Sequence, residues 1–334
     1  VLPVLSHAYR AGVPSSVLEA LQRAGRSLDV RCLALVGGVV RDQLLHQRCG
    51  RSWSGVPDLD WVVEGDAAAL VAELVVQVGS ERISGVQEHG AFGTVAFQLD
   101  GIPLDLATAR QEHSPAPAEN PIVRAGTLEA DLARRDFTIN AMALDLVAGE
   151  LIDLHHGQED LASGQIRFLH AASVQDDPTR VIRAARYAAR LGFELAKESR
   201  EQIRSTMEQW PWAWGQGDAA LTAPPALASR LRMELERLLE REPWPQALDL
   251  LEQWQALPLL DVQLQRDPGR TQRLHWARRL GLPLMPALLL GAADPVALAE
   301  RLQIPGKQQQ WLKQCGALCD WLMDNPPVLQ ASPS

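Results

Sequence analysis

A chain of 334 residues with 46% hydrophobic and 22% charged side chains has an ordinary soluble composition, long enough for two or three domains and more than one sizeable core. No apolar run reaches the roughly eighteen residues of a membrane span, since the richest, Leu280–Leu290, is broken by Pro283 and Pro286. The start of the chain lacks the charged-then-apolar layout of a signal peptide. Cys32, Cys49, Cys315 and Cys319 show no Cys-x-x-Cys zinc spacing, and Cys315 and Cys319, four apart, read as free thiols on one helix face, which suits a reducing cytoplasm. The net charge of −9 is uneven: residues 1–177 hold 13 Lys+Arg against 24 Asp+Glu, and residues 178–334 hold 19 against 17. An acidic first half suits a site that borrows positive charge from a cation, and the second half is where a polyanion could lie. Arginine supplies nearly all the basic charge, with only three lysines, and it is the better bidentate partner for phosphate. A high-GC genome favouring Arg codons explains most of these arginines equally well.

In chain order, Ser15 or Ser16 is expected to cap a helix running to about Arg26, which feeds an apolar strand at Leu33–Val36. That strand ends at Gly37-Gly38-Val39-Val40-Arg41-Asp42, where glycines let backbone N–H groups approach an anion and a helix starting near Val39 aims its positive end at it. Twenty residues after Gly38 comes Asp58-Leu59-Asp60, ahead of a strand at Leu59–Val63. Strand residues two apart share a face, so the two carboxylates can stand side by side and demand a cation. An oxygen-rich site of this kind suits Mg²⁺ with phosphate oxygens as further ligands. Alone, the glycine pair reads as a turn and Asp-x-Asp as a solvated strand end.

A helix is expected at Ala67–Val78, then strands at Gly93–Leu99 and Ile102–Ala107. Asp105 is an acid within that apolar strand, either facing Asp58 and Asp60 from a neighbouring strand or sitting at a sheet edge. His113–Pro121, with three prolines, reads as a loop. In Arg134-Arg135-Asp136-Phe137-Thr138-Ile139-Asn140-Ala141, charges precede a buried segment; this is a polar network for ribose or phosphate, or a helix with a salt bridge at one end. Strand signals fade after Gly149, and from Asp177 the apolar spacing is helical. Asp177-Pro178 is an N-cap with Pro at the first helical position, and the helix places Arg180, Arg183, Arg186 and Arg190 on one face, as a polyanion site or as solvated charge. Trp244, Trp254, Trp276, Trp311 and Trp321 read as core tryptophans of later helices, with stacking on RNA as the lesser reading.

Taken in order, Gly37–Asp42, Asp58–Asp60, Arg134–Ala141 and Asp177-Pro178-Thr179-Arg180-Val181-Ile182-Arg183-Ala184-Ala185-Arg186 resemble the class II tRNA nucleotidyltransferases, a family that includes CCA-adding enzymes and bacterial poly(A) polymerases. The resemblance runs from Leu35 to about Phe193 and extends to Ile152-Asp153-Leu154 and Gly157–Leu161, where His155-His156-Gly157 replaces a common Gly-Gly pair. It implies an α+β chain: a polymerase-β-type nucleotidyltransferase head at 1–145, then an all-helical neck at 146–218 selecting the base and a body and tail at 219–334 binding tRNA. Asp58 and Asp60 would hold Mg²⁺, with Asp105 as a further catalytic carboxylate. Gly37, Gly38, Arg41 and Arg135 would meet the nucleotide at the head, and Asp177, Arg180, Arg183 and Arg186 in the neck. The implied reaction is attack of an RNA 3′-hydroxyl on the α-phosphate of CTP or ATP with release of pyrophosphate, one metal lowering the hydroxyl's pKa and another steadying the leaving group. Asp177 and Arg180 would select bases, because C and A both offer an exocyclic amine beside a ring-nitrogen acceptor. CCA, CC-only, A-only and poly(A) addition all stay open. From other classes stand a non-catalytic RNA-binding relative, which should have lost a carboxylate or the arginines, and a small-molecule nucleotidyltransferase, which should lack the arginine helix.

Overall fold

A computed structural model of the chain describes residues 13–50, 59–90, 93–209 and 225–325, in two compact units. The first takes in Pro121–Ala171 as well as the residues before Ala116, so it runs past residue 145. Its elements are α1 (Ser15–Ser27), β1 (Leu33–Val36), α2 (Gly38–Cys49), β2 (Leu59–Val63), α3 (Ala67–Val78), β3 (Ile83–His89), β4 (Thr94–Leu99), β5 (Ile102–Thr108), β6 (Arg110–His113), β7 (Ile122–Ala125), α4 (Leu128–Ala133), β8 (Met142–Asp145), β9 (Glu150–Asp153) and α5 (Gly157–Ser163).

Seven strands form one mixed sheet in the order β3-β4-β5-β2-β1-β8-β9. All neighbours are antiparallel except β2 and β5, which run parallel. The parallel pair arises because α3 and the β3–β4 hairpin carry the chain over between β2 and β5; a parallel partner needs such a crossover. α3 starts where Asp66 accepts from the N–H groups of Ala68 and Ala69, and it buries Leu70, Val71 and Leu74 on a helical period. Each fully buried leucine of this kind contributes about 2 kcal/mol. The middle of the sheet is closed to solvent: every residue of β1 and β8 is buried, and all but Asp145 are apolar. Alternate residues Ala34, Val36, Val62 and Ala143 pack with Leu128 and Leu132, so α4 lies over that face.

The loop expected at His113–Pro121 is the tip of a hairpin of β6 and β7, strands that the sequence did not show, and the tip carries the three prolines. The tip residues Ala116–Asn120 group with the second unit, where the Arg230 guanidinium donates to the Ala118 carbonyl at 2.6 Å. β9 follows the turn at Gly149, too short and too polar to show the strand pattern.

The second unit is mainly helical: α6 (Ser173–Asp176), α7 (Thr179–Leu191), α8 (Lys197–Gln209), α9 (Pro225–Arg241), α10 (Trp244–Gln253), α11 (Arg270–Arg279), α12 (Leu284–Leu289), α13 (Pro295–Arg301) and α14 (Gly306–Asp324). α7 packs its Val181, Ile182, Ala185 and Ala188 face against α9 and α10. Trp244 and Trp254 are core residues as expected, but Trp276 and Trp321 are half exposed. No helix among the described residues is long and apolar enough to cross a membrane.

Cys32 and Cys315 are free thiols. Burial pushes the Cys32 thiol well above its ordinary range, and the Asp145 carboxylate beside it, which also bonds to it, adds to the rise. Iodoacetamide at neutral pH should therefore leave Cys32 unlabelled in the native protein and modify it only after unfolding. Mass spectrometry of the digested protein reads this directly.

Candidate active site

The end of β1 and the strands beside it build the first cluster. β2 and β5 are in register, with Asp60 opposite Asp105, Leu59 opposite Leu104 and Trp61 opposite Leu106. The leucines and the tryptophan are buried and both aspartates are exposed. In-register neighbours on adjacent strands, about 4.8 Å apart, point to the same side. Asp60 and Asp105 thus face solvent together, on the side where Val62 packs under α4 further along β2. Asp58, the other carboxylate singled out from the sequence, lies outside the described residues.

β1 delivers the chain to Gly37, whose φ of 78° and ψ of −135° suit only glycine. A Cβ there would sit 3.0 Å from Nη1 of Arg135 and 3.8 Å from Oδ2 of Asp60, so the backbone, a cation and a carboxylate converge at this point. α2 begins at Gly38 with no side-chain cap and no acid in its first turn, leaving its first N–H groups and its positive end to an anion.

The Arg134–Ala141 segment is a polar network rather than a helix. After a 3₁₀ turn at Thr138–Asn140 the chain enters β8. Arg41 is 2% exposed; its Nη1 donates to Oδ1 of Asn140 at 2.6 Å, and its Nε to Oδ1 of Asp42 at 2.7 Å. Asn140 in turn donates to Asp136 at 3.0 Å. Arg41 is thereby held inside the fold, bracing α2 against the 3₁₀ turn. The connector after β9 passes through His156 at φ 59°, ψ 31°, a left-handed conformation, within the His155-His156-Gly157 run that stands where a Gly-Gly pair is common.

The second unit carries the other candidates. Oδ1 of Asp177 accepts from the backbone N–H of Thr179 at 3.2 Å and from its hydroxyl at 2.8 Å, and Arg230 lies 3.8 Å away. Arg180 donates to the Ser173 carbonyl at 3.4 Å. Further along α7 the arginine stripe meets acids that sequence reasoning did not single out. Arg183 lies 3.7 Å from Glu234, Arg186 pairs with Glu234 and, at 3.1 Å, with Glu242, and Arg190 pairs with Glu242. Arg186 is 8% exposed and Glu234 5%. The stripe is therefore neutralised in part from α9 and the bend that follows it, and Arg186 acts as an internal tie.

The family model of the poly A polymerase head domain matches residues 33–167. The CC-adding tRNA nucleotidyltransferase of Deinococcus radiodurans is 38% identical over 299 residues, 85% of this chain and 69% of that one. This chain belongs to the tRNA nucleotidyltransferase and poly(A) polymerase family. The A-adding tRNA nucleotidyltransferase of Aquifex aeolicus is 41% identical over 178 residues, 52% of this chain but 20% of that one. A solved CCA-adding enzyme in an apo form superposes with a TM-score of 0.72 at 25% identity, covering 96% of this chain and 78% of that one. As a member of the family the chain is an enzyme, a nucleotidyltransferase, with the mixed-sheet head and helical remainder of that fold.

Because Arg186 ties two buried glutamates, Arg186→Ala should cost about 3 kcal/mol of stability through the uncompensated carboxylates. Urea unfolding followed by circular dichroism measures this. Wild-type stability with altered nucleotide binding would instead assign Arg186 to a ligand.

Proposed function

We propose that this chain adds C and A to the 3′ end of tRNA from CTP and ATP, without a template and with release of pyrophosphate. The observation that carries this reading is the convergence of Asp60, Asp105, Gly37 and Arg135 at the uncapped start of α2. The two exposed carboxylates, joined by Asp58 from the sequence, are a hard-oxygen donor set that fits Mg²⁺. A divalent cation held by Asp58 and Asp60, with Asp105 beside them, would supply charge for the triphosphate and favour ionisation of the primer hydroxyl. The protein's own part is positioning: the N–H groups at Gly37 and Gly38 and the Arg135 guanidinium would receive the phosphates, and little acid–base work falls to side chains.

Base choice would fall to Asp177 and Arg180. Oδ2 of Asp177 accepts no hydrogen bond among the described residues, so it is available to an exocyclic amine. Uracil and guanine would set a carbonyl oxygen against that carboxylate and an N–H against the guanidinium, leaving charge unsatisfied. Arg183, by contrast, would support the pocket from a position already shared with Glu234, and Arg186 would brace it. The reaction belongs in the cytoplasm, where tRNA is processed and where free thiols such as Cys32 and Cys315 persist.

A second reading, addition of CC only, is favoured by the Deinococcus relative, which matches 85% of the chain and is named for that activity. Incorporation of labelled CTP into a tRNA transcript lacking its terminal CCA, followed by addition of ATP, separates the two. CTP and then ATP incorporation is expected; CTP alone would establish the CC-adding reading, and failure of CTP would overturn both. In the same assay Asp177→Ala should narrow the preference for CTP and ATP over UTP and GTP by about tenfold or more, the penalty of a few kcal/mol for a mispaired buried group having gone. Undiminished rejection of UTP and GTP would remove Asp177 from base selection.

A further inference from the structure

Asp131, on α4, has no exposed surface, yet neither the metal nor the nucleotide reading uses it. Its Oδ1 accepts from Nε of Arg134 at 3.0 Å and from Nη2 of Arg134 at 2.8 Å, while its Oδ2 accepts from Nη2 of Arg135 at 2.9 Å. Burial raises the pKa of such a carboxyl, but the two guanidiniums, Arg135 foremost, outweigh it and hold Asp131 below its ordinary range. The charge is therefore kept in a dry place, at a cost that needs a reason.

The two arginines are not equivalent. Arg134 also donates to Glu112 on β6 at 3.0 Å, and Glu112 is paired with Arg110 at the same distance. Arg135 gives one N–H to Asp131, its Nε is buried without a partner among the described residues, and its Nη1 faces Gly37. Along the line Arg110, Glu112, Arg134, Asp131, Arg135, three guanidiniums meet two carboxylates, so the line carries one excess positive charge and ends in Arg135, beside Gly37. The scaffold under Asp131 is fixed too: Glu64, which directly follows β2, accepts from the Leu128 N–H at 2.6 Å, tying α4 to the strand that carries Asp60.

We propose that Asp131 is a positioning residue for nucleotidyl transfer, its buried carboxylate aiming the Arg135 guanidinium so that the remaining N–H groups meet the phosphates of the incoming nucleotide at Gly37 and Gly38. This rests on the reading that Arg135 contacts the nucleotide. Asp131 does not touch substrate; it acts through Arg135 and decides where that charge stands.

The test is a double-mutant cycle on Asp131→Asn and Arg135→Ala in the full chain, reading KM and kcat for CTP on a CCA-less tRNA, with thermal melting as a check of folding. Each single variant should raise the KM for CTP about tenfold or more, the worth of one charge-assisted hydrogen bond, and leave the KM for tRNA unchanged. The double variant should be no worse than Arg135→Ala alone. A purely structural Asp131 would lower the active fraction, hence kcat, without moving the KM for CTP, and its effect would add to that of Arg135→Ala; either result overturns the proposal. If Arg135→Ala leaves the KM for CTP unchanged, the underlying reading of Arg135 fails and the proposal with it. Should Asp131→Asn not fold, Asp131→Asn combined with Arg134→Gln removes one charge of each sign; a wild-type KM for CTP in that folded protein would equally refute it.

Discussion

Everything proposed for the first unit depends on one pairing, the parallel register of β2 with β5 that sets Asp60 opposite Asp105. Antiparallel strands joined by a short turn could not have brought these two positions together. The crossover through α3, β3 and β4 is what makes the parallel pair possible, and burial of the leucines on either side pins the register. A slip of β2 by one residue would bury Asp60 and expose Leu59 and Trp61, a loss on the order of several kcal/mol from hydrophobic burial alone. Core packing thus keeps two like charges on neighbouring strands of one exposed face, and the proposed cation would offset their repulsion.

Charge is handled differently elsewhere. In the second unit Arg183, Arg186 and Arg190 of α7 share Glu234 and Glu242, so that much of a stripe resembling a polyanion site is an internal ion-pair ladder, while Arg180 stays outside it. Exposure of Arg190 and burial of Arg186 on the same stripe show that helical spacing fixes direction but not environment. In the first unit Arg41 is spent on Asn140 and Asp42, whereas Arg135 retains donors toward Gly37. An arginine's function follows from the acids around it more than from its own place in a motif.

The sequence made the strand at Leu59–Val63, the helix at Ala67–Val78, the strands near Thr94–Leu99 and Ile102–Thr108, and the family itself readable, because each rests on a local period or a dense motif. β6, β7 and β9 were hidden, being four-residue strands of mixed polarity whose partners supply the order. Trp276 and Trp321 were misjudged because residue type predicts burial only on average, and both lie on faces that no neighbouring helix covers fully. Asp131 could not be found from spacing: an aspartate three and four residues before a pair of arginines looks like a surface ion pair until the fold shows it wholly buried.

The central claim, that Asp60 and Asp105 act together on one cation, is tested most directly by Mn²⁺ binding in the presence of CTP, followed by electron paramagnetic resonance. The account predicts tight binding to the wild-type protein, loss of it in Asp60→Asn and clear weakening in Asp105→Asn, with both variants melting as the wild type does. Unchanged Mn²⁺ binding in both variants would contradict it.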